Sequence, residues 1–276
     1  MGLLIFGSAI TVLSAAALKM SGTRNFKRRM AGDIRVCSSG KSSVGSCRIR
    51  EKLNTHPSEI GVFSISLFGD MEDPDKRSRY FDPLLKSAER VKGLIDGWYL
   101  RVYVAPSLSK SLIDLLIALD AEVYVMENDP VYFEGSMWRF LPAGEDIAFA
   151  TLDADDEITT KYGGLHSLSS LIEKWMKTDR KFFQRALFHI NILVPISAGM
   201  WGSRGRAIPD IEQRIERYCA DWFGCDEAFL TKEVWPEFQK HGVYRTGNPA
   251  EFVVMLAIVV ASFISLNYVL YELCKS

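Results

Sequence analysis

The sequence predicts an α/β domain with a mostly parallel sheet, flanked at both ends by apolar segments suited to a membrane. Three observations predict it. Between Ile60 and Leu152, apolar runs rich in β-branched and aromatic residues alternate with stretches of helical periodicity, the pattern of parallel strands joined by crossover helices. "FVVMLAIVVASFISLNYVLY" (Phe252 to Tyr271) is twenty residues with no charge, the length a helix needs to cross about 30 Å of hydrocarbon. "LLIFGSAITVLSAAAL" (Leu3 to Leu18) is a shorter run that reads as a span or as the core of a signal peptide.

Taken in order, 3–18 is the first hydrophobic segment, transmembrane or signal. Residues 19–58 form a basic tether rich in Ser and Gly. Lys19, Arg24, Lys27, Arg28, Arg29 and Arg35 are opposed there only by Asp33 over the first stretch. Such charge suits an anionic membrane surface and favours a cytoplasmic domain, with a lumenal domain (ER or Golgi) as the alternative. The main domain spans 59–248. "IGVFSISLF" predicts a strand and "FDPLLKSAERVKGLI" a helix entered through Pro83. "WYLRVYV" is a strand and "SLSKSLIDLLIAL" a helix capped by Ser107 or Ser109. "AEVYVM" is a strand, "GSMWRFL" a short helix and "DIAFATL" a strand. "LHSLSSLIEKWMK" and "IPDIEQRIERYCADWF" have helical periodicity. Between them "FHINILVPISAGMWGSRG" is strand-like and runs into a glycine-rich loop. "DEAFLTKEVWPEFQKHG" gives one or two last helices, stopped by Gly242. A transmembrane helix over 252–271 follows.

The formal net charge of -1 gives no reason to expect a nucleic-acid partner. Five scattered cysteines without a CxxC pair argue against a disulfide scaffold and against zinc. Cys219 and Cys225 are spaced to pair in an oxidising compartment; two ordinary thiols are the plainer reading.

The chemistry is concentrated in "FATLDADDEITT". Asp153, Asp155, Asp156 and Glu157 crowd together behind an apolar run. Their repulsion is tolerable if solvent screens it or a cation sits among them. Asp153 and Asp155 form Asp-x-Asp, and alternate residues of extended backbone point the same way. Both could then face one Mn²⁺ or Mg²⁺, which takes one or two carboxylates plus substrate phosphates. A solvated turn is the other reading. A dehalogenase-type phosphatase would need Thr or Val where Glu157 stands, and an Asp-Asp-x-x-Asp prenyl diphosphate site fails at Thr159. Transfer from a nucleoside-diphosphate sugar fits these residues best.

Six stretches carry a resemblance: "MWRFLPA" (Met137 to Ala143), "LDAD" (Leu152 to Asp155), "LIEKWMK" (Leu171 to Lys177), "QRALFHINI" (Gln184 to Ile192), "AGMWG" (Ala198 to Gly202) and "CDEAFL" (Cys225 to Leu230). In this order, over roughly residues 60 to 245, they resemble the GT-A-fold glycosyltransferases of large algal viruses, the chlorella-virus capsid-glycan type, and related microbial eukaryotic proteins. The resemblance implies a Rossmann-type nucleotide-sugar domain, a divalent metal at Asp-x-Asp, and an enzyme passing a sugar to a glycan, lipid or protein acceptor; it does not cover the apolar ends, which by themselves predict that the enzyme is membrane-anchored. This chain departs from the family pattern at Leu152, Ala186 and Glu227, where the family has Arg, Asp and Gln. A catalytically inactive GT-A-like scaffold or binding module is therefore the alternative, and a metal phosphohydrolase a third reading.

Residue roles follow with their plainer readings. The resemblance places Arg139 at the donor, where a guanidinium suits a diphosphate; a salt bridge is equally consistent. Arg185 lies in a matching stretch and joins the substrate-binding set. Phe68 and Gly69 end the first predicted strand, where a base or ribose could rest or the chain simply turns. Gly199 and Gly202 flank Met200 and Trp201. Glycine lets backbone approach a ligand, and Trp offers a flat face to a sugar or fills a core. His189 is a candidate substrate ligand and His241 a candidate metal ligand; either could be structural. Asp226 and Glu227 are candidates for the catalytic base, with Asp226 otherwise capping a helix.

Overall fold

The computed structural model describes residues 47–56, 60–130, 133–155, 164–185, 195–199, 201–218 and 224–246. The expected apolar segments 3–18 and 252–271, and the tether up to residue 46, lie outside them. Among the described residues no helix is long and apolar enough to cross a membrane.

The strands are β1 (Ile49–Leu53), β2 (Gly61–Leu67), β3 (Trp98–Val104), β4 (Glu122–Met126), β5 (Ala148–Thr151), β6 (Phe182–Arg185), β7 (Trp201–Ser203) and β8 (Val243–Thr246). They form one sheet in the order β1-β4-β3-β2-β5-β7-β6-β8. The central four, β4-β3-β2-β5, are parallel, while β1 and β7 run against their neighbours. The sheet is thus mixed, and parallel where the sequence alternates strand and helix.

β2 explains the centre. All seven of its residues are buried, as a strand covered on both faces requires. Phe63, Ile65 and Leu67 face one apolar cluster and Val62 the other, the alternation a pleated strand imposes. The first cluster packs the sheet against α1 (Asp82–Val91), α2 (Lys110–Ala118) and α3 (Gly164–Met176). The second packs it against a 3-10 helix, Glu134–Gly144, and the helices α4 (Ile211–Arg217), α5 (Cys225–Phe229) and α6 (Trp235–His241).

Several expectations need correcting. The predicted tether contains β1, which pairs antiparallel with β4 at the sheet's edge. Arg50, Glu51 and Lys52 are exposed along it, and charges of this kind discourage further strand pairing. Pro83 stands in the first turn of α1, as expected, but the helical path begins earlier, at Pro74–Lys76, and passes a π-helical turn, Arg77–Phe81, before α1. "GSMWRFL" sits in 3-10 rather than α geometry, and the 3-10 helix runs on past it through Pro142. "DEAFLTKEVWPEFQKHG" is α5, a π-helical turn at Leu230–Val234, then α6, which ends at Gly242 with φ 72°.

Candidate functional site

The strand order reverses at β2: the chain steps outward through β3 and β4, then returns to β5 on β2's other side. Open α/β sheets bind ligands outside the carboxyl ends of the strands at such a reversal. β2 is followed directly by Phe68 and Gly69, and β5 by Leu152 and Asp153. Charged side chains converge beside these ends.

Arg139 is their hub. The 3-10 helix brings it beneath the end of β2, where its backbone N–H donates to Ser66 Oγ at 2.9 Å. The residue is only 7% exposed. Its Nη1 donates to the Leu152 carbonyl at 3.1 Å and to Asp153 Oδ1, and its Nη2 donates to Asp226 Oδ2 at 2.9 Å. Its Nε is buried without a partner. Burial works to lower the Arg139 pKa, but Asp153 and Asp226 more than offset it and the net shift is upward.

Glu227 adjoins this group. Burial, then the charges of Asp226 and Asp153, push its carboxyl up to about 7, with Arg139 pulling the other way. The two base candidates therefore separate: Asp226 is engaged by Arg139, and Glu227 is poised near neutrality. Asp226 does not cap α5; Gly224 holds that position with φ 84°.

Asp153 lies just past the end of its strand and Asp155 in the turn that follows. β5 stops at Thr151 and the chain turns at Ala154 and Asp155. Asp153 goes to Arg139, while Asp155 lies 3.8 Å from Arg79 on the π-helical turn. Among the described residues no three His, Cys, Asp or Glu side chains are placed to hold a metal ion by themselves. Mn²⁺ and Mg²⁺ need fewer, because substrate phosphates complete their shell. Charge argues the same way: Asp153 and Asp226 share the single guanidinium of Arg139, and Asp155 lies near Arg79, so among these described residues negative charge is in excess and a cation would ease the entry of a diphosphate. Asp153 and Asp155, with side chains 37% and 43% exposed, fit that part.

His241 does not join them. It pairs with Glu237 at 3.6 Å and lies against Phe182. Register puts Phe182 opposite Ser203, which faces Phe149, two residues before the end of β5. His241 thus stands toward the strand's amino end, away from the acids. Trp201 is fully buried against Phe140, Phe149 and Phe238 and shows no face to a sugar. Gly202 is needed for strand contact rather than ligand approach, because a Cβ there would strike the Phe149 carbonyl and the Phe183 ring. A Cβ at Gly199 would strike the Asp153 carboxylate, so glycine lets the loop close over that acid. Arg185 ends β6 at the same end of the sheet as Thr151 ends β5. His189 and Met200, with Asp156 and Glu157, lie outside the described residues.

Phe68 and Gly69 line a cleft of about 480 Å³ together with Asp70, Met71, Ser107 and Asp129. Gly69 has φ 94°, a conformation that favours glycine. Asp129 Oδ1 accepts from the Ser107 hydroxyl at 2.5 Å. Sequence reasoning missed Asp129, Arg79 and Thr151. Thr151 Oγ1 donates to the Trp201 carbonyl at 3.0 Å and accepts from its N–H at 3.2 Å, fixing β7 on β5. Asp129 was findable, since it follows a parallel strand's carboxyl end as Asp153 does.

No protein-family model matches the chain, and no curated protein sequence matches it. Among solved structures, it is similar to glucosyl-3-phosphoglycerate synthase from Mycobacterium tuberculosis in complex with Mn²⁺, uridine diphosphate and glucosyl-3-phosphoglycerate. That match has 15% identity and a TM-score of 0.42 over 76% of this chain and 80% of that one. The same enzyme with phosphoglyceric acid matches at 14% identity and TM-score 0.42, over 76% and 80% of the two chains. A cytidylyltransferase from Leptospira borgpetersenii matches at 11% identity and TM-score 0.40, over 70% and 77%. At such scores these likenesses carry no weight in reading the site.

Proposed function

We propose that the chain is a metal-dependent glycosyltransferase of GT-A type that moves a sugar from a nucleoside-diphosphate donor to a hydroxyl acceptor. The observation that carries this reading is the convergence of Arg139, Asp153, Asp226 and Glu227 at the strand-order reversal, with one carboxyl poised near neutral pH.

In this reading the cleft at Phe68 and Gly69 receives the nucleoside: Phe68, Met71 and Leu108 offer apolar surface, and Asp70 and Asp129 suit ribose hydroxyls. Arg139 supplies a fixed, buried guanidinium for the diphosphate. Asp153 and Asp155 would hold Mn²⁺ or Mg²⁺, which supplies positive charge for the leaving diphosphate. Ionised Glu227 takes the acceptor hydroxyl's proton as that oxygen bonds to the sugar's anomeric carbon. The bond from that carbon to the diphosphate breaks, and the nucleoside diphosphate leaves with the electron pair.

The uncharged run Phe252–Tyr271 supports a membrane anchor, and the basic residues Lys19 to Arg35 support a cytoplasmic domain. Sedimentation with membranes that persists in high salt and yields to detergent is the expected result; a freely soluble intact chain would refute anchoring.

A thermal-shift panel of nucleotide sugars, each with and without Mn²⁺, tests the donor class. One donor should raise the melting temperature with Mn²⁺ present, because a ligand that binds only the folded state stabilises it by mass action. No shift with any nucleotide sugar or nucleoside diphosphate would refute the reading.

A further inference from the structure

Arg139 stands where the proposed metal site has its first carboxylate. Its guanidinium is already shared between Asp153 and Asp226, so a cation that takes Asp153 meets a fixed positive charge on the same carboxylate. Two cations bidding for one carboxylate repel each other, and the buried one cannot withdraw into solvent. Arg139 is also incompletely satisfied. Its Nε–H is buried with no acceptor, although a buried guanidinium normally uses its donors. The site is balanced in charge at Asp153 yet short of one acceptor at Arg139.

We propose that Arg139 couples the metal to the nucleotide. In the ligand-free chain it holds Asp153 as a stand-in for the divalent cation. When cation and donor arrive together, Asp153 passes to the cation and Arg139 turns its freed N–H groups, with Nε, to the diphosphate oxygens. Each ligand removes the obstacle to the other, so each binds weakly alone. Linkage makes this coupling reciprocal. The inference rests on the metal reading of Asp153 given above.

The test is Mn²⁺ binding to the whole chain, followed by the electron paramagnetic resonance signal of free Mn²⁺. It is run alone and with uridine or guanosine diphosphate, after correction for Mn²⁺ held by free nucleotide. Wild type should bind Mn²⁺ weakly alone and about tenfold or more tightly with nucleotide. Arg139→Met should bind Mn²⁺ alone about tenfold tighter than wild type, because one competing charge is gone, and nucleotide should tighten it by a smaller factor than in wild type. Arg139→Lys keeps a charge without the two-carboxylate fork and should fall between; it carries the test if Arg139→Met does not fold. A folded Arg139 variant that binds Mn²⁺ no tighter than wild type would overturn the coupling and leave the metal site standing. So would wild-type affinity that ignores nucleotide. No Mn²⁺ binding in any form, or Asp153→Asn binding as wild type does, would overturn the metal reading and the coupling with it.

Discussion

Glu227 concentrates the chemistry in one titration. Its carboxyl is raised from an ordinary 4.5 to about 7 in the fold. The folded state therefore holds the proton more tightly than the unfolded chain, and the domain loses stability as pH rises from about 4.5 through 7. Glu227→Gln removes that loss. It should melt higher than wild type at pH 8, by about 2–4 °C for each kcal/mol relieved, and no higher at pH 4. In the proposed transfer the sign is opposite, because only ionised Glu227 accepts a proton: turnover should rise with pH through about 7, and the Gln variant should lose about 10²–10⁴-fold. Melting curves and a pH-rate profile check both signs. The paired acids separate as well. Asp155→Asn breaks an exposed 3.8 Å pair and should change stability by less than about 0.5 kcal/mol. Asp153→Asn leaves the Arg139 guanidinium under-satisfied and should cost about 1–3 kcal/mol in urea titrations. Equal costs for the two would contradict the assignment.

The elements that hold the site are short, and their legibility differed. The strands of the parallel centre were readable because each is an apolar run buried on both faces; "WYLRVYV" coincides with β3. The 3-10 helix was readable only as a helix: nine of its residues are buried, so no polar face marks its period. β1 was hidden because its middle is three exposed charged residues with no apolar run, and it forms by pairing with β4, a contact between distant stretches of sequence. β7 is held by three residues, and Gly202 at its middle admits β5 and β6 on either side. Gly202→Ala would force a methyl into the Phe149 carbonyl and the Phe183 ring, overpacking that should cost about 1–3 kcal/mol or more by chemical denaturation. A variant as stable as wild type would show that the two strand contacts are looser than described.

Across the whole molecule, the site was legible as chemistry before it was legible as geometry. Asp153, Arg139, Asp226 and Glu227 were all named from sequence, and the fold gathers them at one end of the sheet from three separate elements. Their mutual distances were not readable, because they depend on where the strand order reverses. Trp201 and His241 misled for the same reason: residue type suggests a ligand role, but the register puts one in the core and the other toward the opposite end of β5. The account therefore stands on the four converging residues. Release of nucleoside diphosphate from a panel of nucleotide sugars, measured by mass spectrometry with Mn²⁺ or Mg²⁺ and a hydroxyl acceptor, tests it most directly. The account predicts metal-dependent release with one donor by the wild-type chain, and loss of about 10²-fold or more in Glu227→Gln. Release by the Gln variant at the wild-type rate, or none by wild type with any donor, would contradict it.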